Sequence, residues 1–169
     1  MKVGSNYLGN GRCEFTVWAP AHEELAVEIV SPARRSLPMQ KDEWGYFKVV
    51  AEDIEPGTLY FYKLRGDTDR PDPASQSQPK DVHGPSEVVD HSQMNWTDAG
   101  WSGIPLEETI IYELHVGTFT PEGTFEAIIP RLRELYEFGI NAIELMPIGQ
   151  FPGERNWGYD GVFPFAPQH

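Results

Sequence analysis

The chain changes its hydrophobic period once along its length, and this change restricts it to two kinds of structure in series. From Arg12 to Leu64 apolar and polar residues repeatedly alternate, with frequent β-branched and aromatic side chains, as in half-buried antiparallel strands. The clearest stretches are "CEFTVWAP", "ELAVEIV", "GYFKVV" and "LYFYKL". Turn signals at Pro20, at Ser31-Pro32, across 42–45 and at Pro56-Gly57 separate them. Several short strands at this spacing predict a β-sandwich.

Past Thr109 the period is different. "IIYELHV" reads as a mostly buried strand and "INAIELM" as another. Between them Phe125, Ile128, Ile129, Leu132, Leu135 and Tyr136 fall on one helical face. Pro130 would delete a hydrogen bond in a continuous helix. The pattern therefore predicts a short helical turn near 124–128, then a main helix with Pro130 near its first position that stops at Gly139. Strand, helix, strand with a right-handed crossover makes the two strands parallel neighbours. Repeated, such a unit builds either an open doubly wound sheet or a closed barrel, and both place their sites at the C-terminal strand ends. One unit alone leaves a bare sheet edge after "INAIELM", where self-association is expected.

Between the two patterns, "RGDTDRPDPASQSQPKDVHGPSEVVD" lacks apolar periodicity and is rich in Pro, Asp, Ser and Gln, so it is expected to be an ordered loop or linker. The organisation read from these patterns is 1–95 for the sandwich with its Pro-rich linker and 96–169 for the second structure. Trp96 and Trp101 in "NWTDAGWSGIPLEE" are expected to pack between the two.

Charge narrows the partners. Lys and Arg total 13 against 26 Asp and Glu, a formal net charge of -13. Repulsion of this size disfavours nucleic acid and anionic membrane and suits a neutral ligand. Cys13 is the only cysteine, so no intramolecular disulfide framework exists. No apolar run approaches the roughly 18 to 20 residues of a membrane span, and nothing reads as an export signal, so a cytoplasmic location is expected. His22, His83, His91, His115 and His169 lack paired metal-ligand spacing, and no phosphate loop or dinucleotide fingerprint is present. No metal and no cofactor are expected.

The residues that suit chemistry lie at the ends of the two later strands. "GERNWGYDGVFPFAPQH" packs Trp157, Tyr159 and Asp160 among glycines and prolines. A sugar ring offers a C–H face to an aromatic ring and a rim of hydroxyls to a carboxylate, so Tyr159 and Asp160 fit a carbohydrate pocket. The same residues can equally pack the loop while Asp160 caps a turn. His115 shares a strand face with Glu113 and can contact a substrate or sit buried and hydrogen-bonded. Glu144 reads as a structural partner. Retaining glycoside hydrolysis needs two carboxyl groups about 5 to 5.5 Å apart, and no second acid is placed by the pattern to face Asp160. No catalytic residue is therefore assigned. The exposed-type aromatics Trp18, Trp44 and Tyr46 offer a second candidate sugar surface, with core or turn packing as their ordinary alternative.

"IIYELHVGTFTPEGTFEAIIPRLRELYEFGINAIELMPIGQFPGERNWGYDGVFPFAPQ" resembles the opening of the catalytic barrel of the α-amylase superfamily. "ELHVGTFTPEGTF" is shared in looser form with glycogen branching and debranching enzymes. "DPAS" and "VHGPS" together with "QFPGERNWGYDG" are similar to the family within it that acts on maltooligosyl trehalose. The resemblance covers the chain from Arg12 onward. It implies a mixed β and α/β fold, an immunoglobulin-like β-sandwich followed by the first β-α-β unit of an incomplete (β/α)8 barrel. It also implies hydrolysis of the α-1,4 bond next to terminal trehalose, with an α-glucan or maltooligosyl trehalose as ligand. Tyr159 then matches a tyrosine that stacks on the sugar beside the cleaved bond, and Asp160 matches an acid that helps shape that pocket; His115 and Trp157, from their strand-end and loop positions, complete the candidate substrate-binding residues. The family's catalytic carboxylates follow its fourth, fifth and seventh barrel strands, none of which is present, and His169 does not take the role of the family's histidine motif. The chain is therefore expected to be inactive alone. A non-catalytic glucan-binding sandwich and a branching-enzyme fragment are the other readings.

Overall fold

A computed structural model describes residues 2–65 and 68–169; Gly66 and Asp67, within the stretch read as a linker, lie outside the described residues. The chain divides into two compact units. One comprises the chain up to Gln93 together with Gly149–Glu154 and Gly161–His169, and the other comprises Met94–Ile148 and Arg155–Asp160.

The alternating stretches form strands. β1 (Gly4–Gly9), β2 (Arg12–Trp18), β5 (Gln40–Lys41) and β6 (Tyr46–Ala51) make an antiparallel sheet in the order β1-β2-β6-β5. β3 (Ala26–Ser31), β4 (Arg35–Pro38), β7 (Leu59–Leu64) and β8 (Thr68–Arg70) make a second in the order β4-β3-β7-β8, and β9 (Ser86–Glu87) also pairs with β7. Because side chains alternate across a strand, Cys13, Phe15 and Val17 of β2 and Tyr60 and Tyr62 of β7 point to one face each. They meet Val27, Ile29, Phe47, Ile54 and Val88 in one buried cluster drawn from both sheets, which makes the unit a β-sandwich. Phe15 contacts Tyr60 edge to face, with ring centroids 4.8 Å apart. Burial in this cluster pushes the Cys13 thiol up to about 12.

The linker is packed into the sandwich by hydrogen bonds instead of apolar contacts. Asp72 is fully buried and its Oδ2 accepts from Tyr60 Oη at 2.7 Å and Tyr62 Oη at 3.1 Å, while Oδ1 accepts from the Ala74 amide at 2.8 Å. The Asp72 amide donates to Ser86 Oγ, and that hydroxyl lies 2.6 Å from Gln78 Oε1. Gln78 Nε2 in turn donates to the carbonyls of Asp81 and Gly84. A stretch without apolar periodicity is ordered here because its polar side chains replace the bonds that water would make.

In the second unit β10 (Ile111–Leu114) and β11 (Ala142–Leu145) pair in parallel, Ile111 beside Ala142 and Leu114 beside Leu145. Asn141 brackets the entry to the pair: its Oδ1 accepts from the Ile110 amide and its Nδ2 donates to the Glu108 carbonyl. The crossover holds α1 (Val116–Phe119), α2 (Phe125–Ile128) and α3 (Leu132–Glu137). Thr124 caps α2 by accepting from the Ala127 amide, and a 3-10 turn over Ile129–Arg131 takes Pro130 between α2 and α3. The break expected at Pro130 is present, with the main helix beginning two residues later.

Burial departs from expectation. "IIYELHV" is not a mostly buried strand: Ile110, Ile111 and Tyr112 are exposed and only Leu114 is buried. Of the six apolar crossover residues only Ile128 is buried. A two-stranded parallel sheet with one short crossover has too few side chains to cover both of its faces. Trp96 and Trp101, expected to pack, are each 71% exposed. Among the described residues no helix is long and apolar enough to cross a membrane.

Burial holds the Asp72 carboxyl above its ordinary value of 3.8, against the opposing hydrogen bonds from Tyr60, Ala74 and Tyr62. Replacing Asp72 by Ala leaves two buried hydroxyls and an amide without an acceptor, and is expected to cost about 2 to 4 kcal/mol in urea unfolding. A carboxyl whose pKa is raised by folding stabilises the native state most below its unfolded value and loses that contribution as pH rises through the folded value. The stability of the wild type relative to Asp72→Asn is therefore expected to fall as pH rises from below 3.8. A difference that is flat or rises with pH would contradict this.

Candidate functional site

After β11 the chain enters the loop that carries the aromatic and acidic residues. Asn156 organises it. Its Oδ1 accepts from the Gly158 amide at 2.6 Å and the Asp160 amide at 3.4 Å, and its Nδ2 donates to Asp160 Oδ2 at 3.2 Å. The turn it closes passes through Gly158 at φ +99, where a Cβ would lie 2.6 Å from the Pro147 carbonyl oxygen. Only glycine fits, because the left-handed conformation and the close backbone approach both exclude a side chain.

His115 follows β10, as the N-cap of α1, and reaches the same turn: its Nε2 lies 2.7 Å from the Asn156 carbonyl oxygen. A carbonyl only accepts, so the ring donates its Nε2–H to it. Nδ1 is buried and has no partner among the described residues. His115 is therefore half-buried and hydrogen-bonded, and its contact is the loop backbone.

The loop residues differ in what they touch. Trp157 is 80% exposed and Tyr159 70%, while Asp160 is exposed and held by Asn156. Two aromatic faces are thus displayed on a turn whose backbone is locked from below. Asn156 joins two of the four sequence candidates, Asp160 through its side-chain amide and His115 through its backbone carbonyl, and Trp157 directly follows it in the chain. Asn156 itself was not among the candidates. The signal that could have found it is an Asn two residues before a Gly and four before an Asp, the pattern of an Asx turn. Glu113 and Glu144 are side-by-side partners in the β10–β11 register and both are exposed. A surface hollow of about 430 Å³ is lined by Tyr7, Leu8, Gly9, Asn10, Asp90, Ser92 and Gln93 and by none of the loop residues.

With this geometry in view, comparisons with known proteins define the class. Residues 2–80 match the family carbohydrate-binding module 48, the isoamylase N-terminal domain. In structure the chain is similar to a solved Salmonella typhimurium protein described as an α-amylase, with a TM-score of 0.90 and 41% identity over 98% of this chain and 28% of that one. The relatives that the chain matches are glycoside hydrolases of the α-amylase family.

Within it, the chain is 48% identical over 98% of its length to a malto-oligosyltrehalose trehalohydrolase of Deinococcus radiodurans. It is 43% identical over 92% of its length to one of Saccharolobus solfataricus. By sequence it belongs with the malto-oligosyltrehalose trehalohydrolases, matching their N-terminal part. It spans 27% of the length of these relatives.

Gly158→Ala is expected to unlock the loop. A left-handed residue with a Cβ costs about 1–2 kcal/mol before the clash with Pro147 is counted. This corresponds to about tenfold faster amide exchange at the residues flanking position 158. Unchanged exchange, read by mass spectrometry, would show that the turn is not held by this close approach.

Proposed function

We propose that this chain forms the sandwich and the start of the catalytic barrel of a cytoplasmic trehalohydrolase, which cleaves the α-1,4 bond next to the terminal trehalose of maltooligosyl trehalose. On this reading residues 1–95 are the immunoglobulin-like sandwich with its linker, and residues from 96 onward belong to the (β/α)8 barrel. The observation that carries it is the display of Trp157 and Tyr159 on the Asn156-locked turn at the C-terminal end of a parallel strand, the end where barrel enzymes build their sites.

In this reading Tyr159 stacks on the C–H face of the sugar beside the scissile bond, and Trp157 extends the apolar wall. Asp160 offers a carboxylate to sugar hydroxyls, its orientation set by Asn156. His115 braces the turn and lines the pocket from β10. None of these residues forms a carboxylate pair for a retaining displacement, so the nucleophile and acid are supplied by the three-quarters of such an enzyme that this chain does not span.

The test is a graft. The chain alone, incubated with a maltooligosyl trehalose, is expected to release no trehalose. Fused in place of the matching segment of the Deinococcus radiodurans relative, it is expected to release trehalose, and Tyr159→Ala in the fusion is expected to lower kcat/KM by about a hundredfold or more. A folded fusion without activity, beside an active parent, would overturn the assignment. Release by the chain alone would show that its own carboxylates assemble a working site.

We also propose that the bare strands β10 and β11 favour self-association of the isolated chain, because each has an unpaired edge and exposed apolar residues such as Ile111 and Leu145. Sedimentation is expected to show a mass that rises with concentration. A constant monomer mass up to high concentration would count against it.

A further inference from the structure

The motif "VHGPS" and the aspartate before it form a turn that presents one valine. The Gly84 amide donates to the Asp81 carbonyl at 3.0 Å, and the Val82 amide donates to Asp81 Oδ1. Gln78 Nε2 donates to the carbonyls at both ends of the turn, and its Oε1 lies against the Ser86 hydroxyl. Ser86 also holds the Asp72 amide, so the turn is fixed to the buried polar network of the sandwich. Val82, at the crest of this turn, is 5% exposed and yet takes no part in the main core. It forms a separate buried cluster with Phe163 and Ala166.

Those two partners lie at the base of the loop that carries Tyr159. They belong to β13 (Phe163–Pro167), which pairs antiparallel with β12 (Gly149–Gln150), Gln150 opposite Phe163. The Val162 amide closes the loop by donating to the Gln150 carbonyl at 2.8 Å, and the Phe151 amide donates to Gln168 Oε1. The hairpin groups with the sandwich and its linker in the first compact unit, and the loop interior, residues 155–160, hangs from it by the peptide bonds at 154–155 and 160–161. A two-stranded hairpin this short is marginal in water unless one face is packed, and Val82 supplies the packing.

We propose that Val82 is a positioning residue for the Tyr159 loop. By covering Phe163 and Ala166 it keeps the hairpin closed, and the closed hairpin fixes where the Asn156 turn is carried. Val82 touches no substrate and acts only through the loop base. The inference rests on the reading of Tyr159 as a sugar contact, and it deepens that reading. Asn156 and Gly158 order the turn internally, whereas the valine sets its placement. A turn that is rigid inside but loose at its base is competent to bind in only a fraction of its placements, and apparent affinity falls by that fraction.

Amide exchange in the 169-residue chain, read residue by residue by nuclear magnetic resonance, tests the anchor. In Val82→Ala the Val162 amide is expected to exchange about tenfold faster, while the Gly158 amide, held by Asn156, keeps its wild-type rate. Val82→Ile is expected to restore slow exchange at Val162. Val88→Ala opens the main core instead and is expected to lower the urea midpoint without speeding Val162, which separates the anchor from a general loss of stability. Unchanged exchange at Val162 in Val82→Ala, or equal acceleration in Val88→Ala, would overturn the anchor. In the fusion with the Deinococcus radiodurans relative, Val82→Ala is expected to raise KM about tenfold and to leave kcat within about twofold, with Val82→Ile close to the parent fusion. An active fusion whose KM ignores Val82 would overturn the positioning role and leave the enzyme reading standing. An inactive fusion would overturn the enzyme reading and the positioning role with it, while exchange at Val162 would still decide the anchor.

Discussion

Asp72 joins the parts of the sandwich that alternation alone would leave separate. Its carboxylate is buried against the hydroxyls of Tyr60 and Tyr62, two residues apart on one face of the central strand β7. Tyr60 packs on Phe15 of the facing sheet, so the same side chain that closes the apolar core also anchors the polar segment that follows it. Through Ser86 and Gln78 the network continues along that segment and brings β9 onto β7. Burying a carboxylate costs far more than burying a hydroxyl, and this one is tolerated because each oxygen accepts from a fixed donor. Burial and the nearby Asp72 charge together push both tyrosines well above their ordinary range, so they remain donors. The segment is thereby part of the sandwich.

The second unit follows a different economy. Its parallel pair and crossover are well formed in backbone terms, with Asn141 setting the entry, Thr124 capping α2 and Pro130 taken into a 3-10 turn. Its apolar side chains are nonetheless mostly uncovered. Backbone hydrogen bonds and caps are local and can be satisfied by one β-α-β unit, whereas burial needs further layers. The loop carrying Trp157 and Tyr159 is the exception, because its order comes from the Asn156 turn and the glycine at 158 and not from packing. An aromatic surface that is both exposed and rigid loses little entropy on meeting a ligand.

Much of this was legible in the residues. The alternation from Arg12 to Leu64 placed the main strands because a period of two commits a segment to one buried face, and Pro130 announced the break between α2 and α3 by its missing amide. Tyr159, Asp160, Trp157 and His115 were found as candidates from residue type and strand-end position. Asn156 was not, since an amide that organises a turn through three hydrogen bonds resembles any polar loop residue until the chain closes around it. The expected burial of "IIYELHV" failed for a related reason: a run of apolar residues states what could be covered, and coverage depends on neighbours that the run does not contain.

By itself the sequence determined the order of elements, the change from antiparallel to parallel pairing, the sparse cationic charge that disfavours polyanions and the motifs that mark the family. These follow from local rules in which each residue answers to neighbours a few positions away. The tertiary structure alone decided that Asp72 is a buried acceptor and not a surface acid, that the Asp160 carboxylate is held by an amide, and that Trp18 and Trp44 share a hydrogen bond across 26 positions. Hydrogen-bond partners and burial are properties of distances between remote segments, and those distances exist only once the sheets have closed.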